Sequence, residues 1–286
     1  MNKLRLASMV FVTLMTFTSC RKELAESIQS AADNAAVETE YAQIYDVVSD
    51  YASTDNRSGK TEDLILPSGA TVIFNDTTFT DGDGIEFYID YGPLDHGASF
   101  KGILCSDGRY RAGKIFVSMD KRWSDFPVTI NVTVGGNPNE YYVGNGTKMY
   151  KVSGLKTITR TSATSYTVEV TNASFQRDNG TITWNSSRTV SQTYDAGSGW
   201  YNDEYTVAGT ATGTNVNGVT FSVTTVTPLK KKLTIGCLTT FIKGELLLTN
   251  SNGKVLNINY DSYNNEACDK AVTVTYNGKT NVIQVW

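Results

Sequence analysis

Histidine is almost missing from this 286-residue chain: the single copy is His96. That excludes histidine-rich metal centres and makes any histidine-dependent triad rest on one residue. An excess of positive charge is missing too, with 25 Lys plus Arg against 29 Asp plus Glu. A general polyanion binder displaces counterions with a basic face, so nucleic acid is not an expected partner. No G-x-S-x-G nucleophile elbow occurs,. There is also no apolar run long enough to cross a bilayer of roughly 30 Å as a helix. The longest, Leu6 to Phe17, has about 12 residues. With 40% hydrophobic residues the chain can still bury a substantial core,.

That short run is informative. It follows Lys3 and Arg5 and precedes Thr18-Ser19-Cys20, the order of a signal peptide: positive start, apolar middle, small residues at the cut,. Small residues directly before a cysteine are similar to a lipobox. Residues 1–19 are therefore expected to be removed, with Cys20 becoming the lipidated first residue. Each buried methylene of the acyl chains contributes about 0.8 kcal/mol to anchoring. The remaining chain then carries 23 basic against 29 acidic residues, net about −6. Arg21-Lys22-Glu23 lacks the Asp that would hold a lipoprotein on the inner membrane. The expected location is the outer membrane, on its periplasmic or cell-surface face.

Three further cysteines would sit in an oxidising compartment. A two-residue turn centred on Asn252-Gly253 pairs positions whose numbers add to 505, and Cys237 and Cys268 meet that condition,. We expect a Cys237–Cys268 disulfide, worth on the order of 3 kcal/mol in the loop-entropy picture. Cys105 is then odd and is expected to be a buried, unreactive thiol.

Residues 23–52 are the one convincing helix. Val37, Tyr41, Ile44, Val48 and Tyr51 step by 4, 3, 4 and 3 and share a face, while Glu38, Glu40, Asp46 and Asp50 fall largely elsewhere,. Asp33 or Asn34 could cap its second half. The stripe is expected to pack on a sheet. Ser53 to Asp63 is polar and aperiodic, a linker. Residues 20–63 thus form a tether, helix and linker, and 64–286 a β region.

Beyond Ala70 the pattern is alternation. Thr numbers 38, suited to half-exposed strand faces, and five Asn-Gly pairs at 145–146, 179–180, 217–218, 252–253 and 277–278 signal hairpins,. The expected strands are 70–76, 85–91, 98–104, 112–119, 127–134, 140–144, 147–153, 155–161, 165–175, 180–193, 203–213, 219–227, 231–236, 239–250, 254–261, 270–276 and 280–286. The expected fold is mainly β: a large antiparallel meander, folded as a sandwich or open barrel, with one N-terminal helix. A weak echo between 88–119 and 257–276 allows a division into packed halves, 64–135 and 165–286.

Few segments suggest chemistry. Asp81-Gly82-Asp83-Gly84 alternates like a calcium loop, but the twelfth position is Gly92 rather than Glu, so a hairpin turn is expected and no metal site,. Asp90, Asp95, His96 and Ser99 crowd into ten residues and cannot readily converge as a triad. Asp107 to Arg111 reads as a basic hairpin tip. Trp123, Trp200 and Tyr201 lie in loop-like segments, where aromatic faces beside Asn and Asp suit a glycan or protein contact.

Taken together, Asp90-Tyr91-Gly92, the run from Cys105 to Ile115, Gly180 to Thr189, Ala267-Cys268-Asp269 and Thr275 to Thr280 resemble a family of β-rich lipoproteins frequent in Bacteroidota. The resemblance implies a lipidated envelope protein and assigns no activity. The expected function is a non-enzymatic structural or binding module of the outer membrane, without cofactor, held by its lipid. Its candidate partner is a glycan or an envelope protein. The alternatives are a glycan-binding accessory lipoprotein of a polysaccharide uptake system and a β-rich glycoside hydrolase with distant carboxylates.

Overall fold

The computed structural model describes residues 28–44, 46–48, 52, 67–94, 102–197, 202–234, 236–238 and 240–285. Its strands are β1 (Thr71–Asp76), β2 (Ile85–Asp90), β3 (Ile103–Leu104), β4 (Tyr110–Met119), β5 (Val128–Val134), β6 (Tyr141–Gly144), β7 (Met149–Arg160) and β8 (Ser165–Arg177). They continue with β9 (Gly180–Tyr194), β10 (Glu204–Thr214), β11 (Thr220–Lys232), β12 (Lys243–Asn250), β13 (Val255–Asn259), β14 (Ala271–Tyr276) and β15 (Lys279–Gln284). All belong to one antiparallel sheet in the order β1-β2-β4-β5-β7-β8-β9-β10-β11-β12-β13-β14-β15, with β3 on β4 and β6 between β4 and β7. Segments 64–135 and 165–286 are therefore joined through β7 into a single sheet.

Alternation decides which way each strand faces. In β9, Ile182, Trp184, Ser186, Arg188 and Val190 are buried, while Thr181, Thr183, Asn185, Ser187 and Thr189 are exposed. In β8 and β11 the exposed set includes Thr167, Glu169, Thr171, Thr220, Ser222 and Thr224. The outward surface of these strands is thus hydroxyl- and amide-rich, unlike the apolar band of a lipid-facing barrel.

Helix α1 covers residues 28–44 and 46–48. From 30 to 48 every described position is buried except Ala32 and Ala42, which are half-buried. A helix resting on a flat sheet keeps a wet face; this one has none, because the sheet curls around it. Its apolar stripe, Val37, Tyr41, Ile44 and Val48, joins one core with Ile115, Ile158, Ile182 and Leu246. Tyr51 and Asp50 lie outside the described residues. The helix thus packs its stripe on the sheet as expected and fills the β region.

Contacts along α1 give its direction. Ser30 and Asp33 meet Asn215 and Val216, Asn34 meets Trp184, Glu38 meets Arg188, and Asp46 meets Lys231. The helix starts at the β10–β11 turn and runs toward the opposite ends of the strands. Antiparallel alternation puts all five Asn-Gly turns at that same starting end. Only 277–278 is the central pair of a two-residue turn, with both residues at positive φ and Tyr276 opposite Lys279,. At 252–253 the loop has three residues, Ser251 to Gly253, with Gly253 at φ 72°. The β12–β13 register therefore pairs positions adding to 504, such as Leu246 with Ile258, one less than expected. Cys237 and Cys268 are nevertheless placed as a disulfide, Cα atoms 4.7 Å apart, in the connections beyond the open end of the hairpin.

Two expected strand breaks are absent. β7 runs through Gly154 and β11 through Pro228, each at a register shift. At Gly154 the backbone has φ +153°, and an added Cβ would stand 2.4 Å from Tyr41 Oη and 2.8 Å from Ala173 Cα. Glycine there lets the helix approach, and Tyr41 Oη donates to Ser153 O at 3.0 Å. Gly154→Ala is expected to lower unfolding free energy by about 1–3 kcal/mol. Urea unfolding checks this, and an unchanged midpoint would refute the close approach.

Candidate functional site

The interior between helix and sheet holds an unusual density of charge. Glu38 and Glu40 are two residues apart, about 200° around an α-helix, so they address opposite walls. On one wall Glu40 Oε2 accepts from Arg109 Nη1 at 2.8 Å and Arg111 Nη2 at 3.2 Å, and Oε1 accepts from Tyr141 Oη at 2.8 Å. Arg111 also grips Asp107 through two N–H groups, at 2.9 and 2.8 Å, and donates from Nε to Tyr141 Oη at 3.0 Å. On the other wall Arg188 donates from Nε to Glu38 Oε1 at 2.9 Å. Lower down, Lys231 pairs with Asp46, and Lys156 Nζ donates to Tyr41 O.

Further hydrogen bonds complete the grip. Trp184 Nε1 donates to Asn34 Oδ1 at 2.9 Å, Asn215 Nδ2 to Ser30 Oγ at 2.9 Å, and Val216 N to Asp33 Oδ2 at 3.0 Å. Glu38, Glu40 and Asp46, expected on a face apart from the stripe, are therefore buried as well, each with a protein partner. Residues Asp107 to Arg111 are correspondingly not an exposed basic tip. The turn folds inward, and Asp107, Arg109 and Arg111 are all buried against α1.

Electrostatics follows from this enclosure. Burial alone would raise the Asp107 carboxyl, but the Arg111 and Arg109 guanidiniums outweigh it and hold it below its ordinary value,. Burial raises the Tyr141 hydroxyl, and the Glu40 charge adds to that. Burial pushes the Lys156 ammonium down to about 7, with Asp46 only partly offsetting it. The Cys105 thiol is raised by burial, although Arg111 opposes this. It is the free cysteine of the described residues, a buried thiol as expected.

A cavity of about 70 Å³ lies between α1 and β7–β11, walled mainly by apolar side chains and bordered by Ser186, Arg188, Lys156 and Lys231. Outside, a neutral groove of about 490 Å³ runs over Thr183, Asn185, Thr212, Thr220, Ser222 and Thr249. The β1–β2 connection is the expected hairpin. One carboxylate oxygen each from Asp76, Asp81 and Asp83 lies within 4.8 Å of the others, the arrangement that could hold a cation, and the Asp81 hydrogen bond and charge raise Asp83.

Of the aromatic loop residues, Trp123 is half-buried, with the Arg160 guanidinium 3.9 Å from its ring centroid. One face of the indole is thus taken by the protein. Trp200, Tyr201, Cys20 and His96 lie outside the described residues. No protein-family model, curated protein or solved structure matches this chain.

Two outcomes check the site. Glu40→Ala strands Arg109 and Arg111 without their shared acceptor, and is expected to cost roughly 3–5 kcal/mol in urea unfolding. Glu140→Ala, which removes an exposed pair with Lys151, should cost at most about 1 kcal/mol,. Equal effects would contradict the internal clamp. For Lys156, the folded chain lacks a proton that the unfolded chain holds between about pH 7 and the ordinary lysine value near 10.5. Its contribution to unfolding free energy therefore grows as pH rises above 7 and is lost as pH falls through 7. Lys156→Met should flatten that rise between pH 7 and 9.5, and an unaltered slope would assign the rise elsewhere.

Proposed function

We propose that the chain is a lipid-anchored, non-enzymatic structural or binding module of the bacterial outer membrane, attached through Cys20. The observation that carries this reading is the place of α1: the first described element after Cys20 is a helix locked inside the sheet by buried ion pairs. Seven residues lie between Cys20 and Ile28, eight chain steps with a reach of at most about 29 Å,. A lipid on Cys20 would therefore keep the Asn-Gly turn end near the bilayer and turn the other end outward. That outward end carries the connections at 77–84, 120–127, 233–242 and 260–270, with the acidic triad, Trp123 and the disulfide. The polar outer surface of β8, β9 and β11 supports the same picture, because hydroxyl and amide side chains suit water rather than lipid tails and leave attachment to the acyl chains. The interior acids and bases are spent on holding the helix, which favours scaffold or display over turnover. The resemblance to Bacteroidota lipoproteins agrees with this.

One observation favours a second reading, a glycan-binding accessory lipoprotein. The neutral hydroxyl and amide groove over β9–β12 offers hydrogen-bonding groups without charge, the chemistry that sugar hydroxyls meet.

Labelled palmitate should enter the full chain and carry it into the detergent phase on partition, and Cys20→Ser should lose both. Wild-type protein that stays unlabelled in the aqueous phase would overturn the anchor. A glycan screen run beside it separates the readings. Saturable binding lost in Trp200→Ala or Asn185→Ala selects the glycan reading, and hydrolysis abolished by replacing single acids would make the protein an enzyme.

A further inference from the structure

We propose that the internal cavity between α1 and β7–β11 is a binding site for a short-chain monocarboxylate, held by Arg188 and Ser186. This inference stands apart from the anchoring role and does not depend on Cys20.

The argument begins with donors that the protein leaves unanswered. Arg188 is 5% exposed and gives Nε and Nη2 to Glu38, but its Nη1 meets no protein acceptor. A guanidinium N–H can only donate, so within an apolar wall its need is met only by an acceptor. Ser186 stands two residues earlier on the same inward face of β9, 8% exposed, and its Oγ has no protein partner either. Both residues border the cavity. An N–H and a hydroxyl without protein partners, both on the inward face of β9, thus border the cavity beside one charged pair.

Charge indicates the sign of the guest. The cavity is bordered by three basic side chains, Lys156, Arg188 and Lys231, and by two acids, Glu38 and Asp46. When Lys156 is protonated the bordering cations outnumber the bordering acids by one, and a monoanion balances the sum. Lys156, which burial otherwise holds near 7, is the cation that such a guest would keep protonated. A dianion such as phosphate would overshoot this balance and would bring polar oxygens against valine and aromatic walls.

Size and lining set the rest of the ligand. Away from the polar edge the walls are Val168, Val170, Val190, Tyr166, Trp184 and Phe241. At about 70 Å³ the space is about half the roughly 150 Å³ that accommodates benzene in an engineered cavity,. A carboxylate with a tail of one to three carbons fits both the polar edge and the apolar remainder. A longer acyl chain does not.

The test uses the full chain, folded and in detergent, titrated with ¹³C-carboxyl-labelled acetate, propionate, butyrate and hexanoate. Sodium chloride and inorganic phosphate are the controls, and the readouts are the ligand's carboxyl resonance and the protein's melting temperature. Saturable binding is expected for the short acids, with hexanoate and both inorganic anions failing. Ser186→Ala should fold as wild type, since its hydroxyl holds nothing in the protein, and should weaken binding roughly tenfold. Val170→Phe fills the space and should abolish binding while the protein still melts cooperatively. The proposal is overturned if folded protein binds none of the acids, if chloride or phosphate binds equally well, or if Ser186→Ala binds as tightly as wild type.

Discussion

The match between acids on one helix and cations on the inside of one sheet is the constraint on which the rest of this molecule depends. Taking Glu38, Glu40 and Asp46 out of water is expensive, and pairing each with Arg or Lys at best roughly offsets that expense,. The pairs are therefore better understood as fixing position than as supplying net stability. An apolar stripe alone tolerates a slide of three or four residues along a sheet. Such a slide here would separate Glu38 from Arg188 and Glu40 from Arg109 and Arg111 together, leaving several buried charges unpaired. Because residues 38 and 40 address opposite walls, the helix is also fixed in rotation.

The same clamp explains how fifteen strands form one sheet rather than two packed halves. A sheet of this width must curl or fold over, and its concave face needs something to cover. Here α1 is that filling, reaching β4 and β6 on one side and β9 and β11 on the other. Gly154 and Pro228 sit where the ladder shifts register, local irregularities of the kind that bend a strand and increase its twist,. The helix and the β region are consequently one cooperative body, although the sequence pattern separates them.

Strand positions were readable because period-two alternation and threonine-rich outer faces are local properties. β7 was expected as two strands because Gly154 looks like punctuation, when its missing side chain in fact serves Tyr41. β11 was expected to stop before Pro228, which a bulge accommodates. The disulfide pairing was found although the hairpin register differs by one, since both cysteines lie past the paired segment where the offset can be absorbed. The internal clamp was missed for a physical reason: an amphipathic pattern is ordinarily read as one buried and one wet face, and acids are assigned to the wet one. A signal did exist. Arg188 holds the parity of Ile182, Trp184 and Val190, and Lys156 that of Ile158, so both cations occupy positions that alternation directs inward. Several inward cations require an acidic filling, and the acidic helix α1 supplies it.

This arrangement also constrains how the chain can fold. The contacts that hold α1 span 69 residues from Glu40 to Arg109, 150 from Glu38 to Arg188 and 185 from Asp46 to Lys231. Such separations make loop closure costly before any reward is gained, and they predict slow, cooperative folding. The helix cannot be buried until β11 is made. The curled sheet, in turn, cannot close over Arg109, Arg111, Arg188 and Lys231 without the carboxylates that neutralise them. Neither part is an independent unit, so α1 must wait during synthesis until β11 has been made. If Cys20 carries a lipid, that waiting segment is also the one nearest the membrane, and completing the sheet around it joins anchor and fold in a single step.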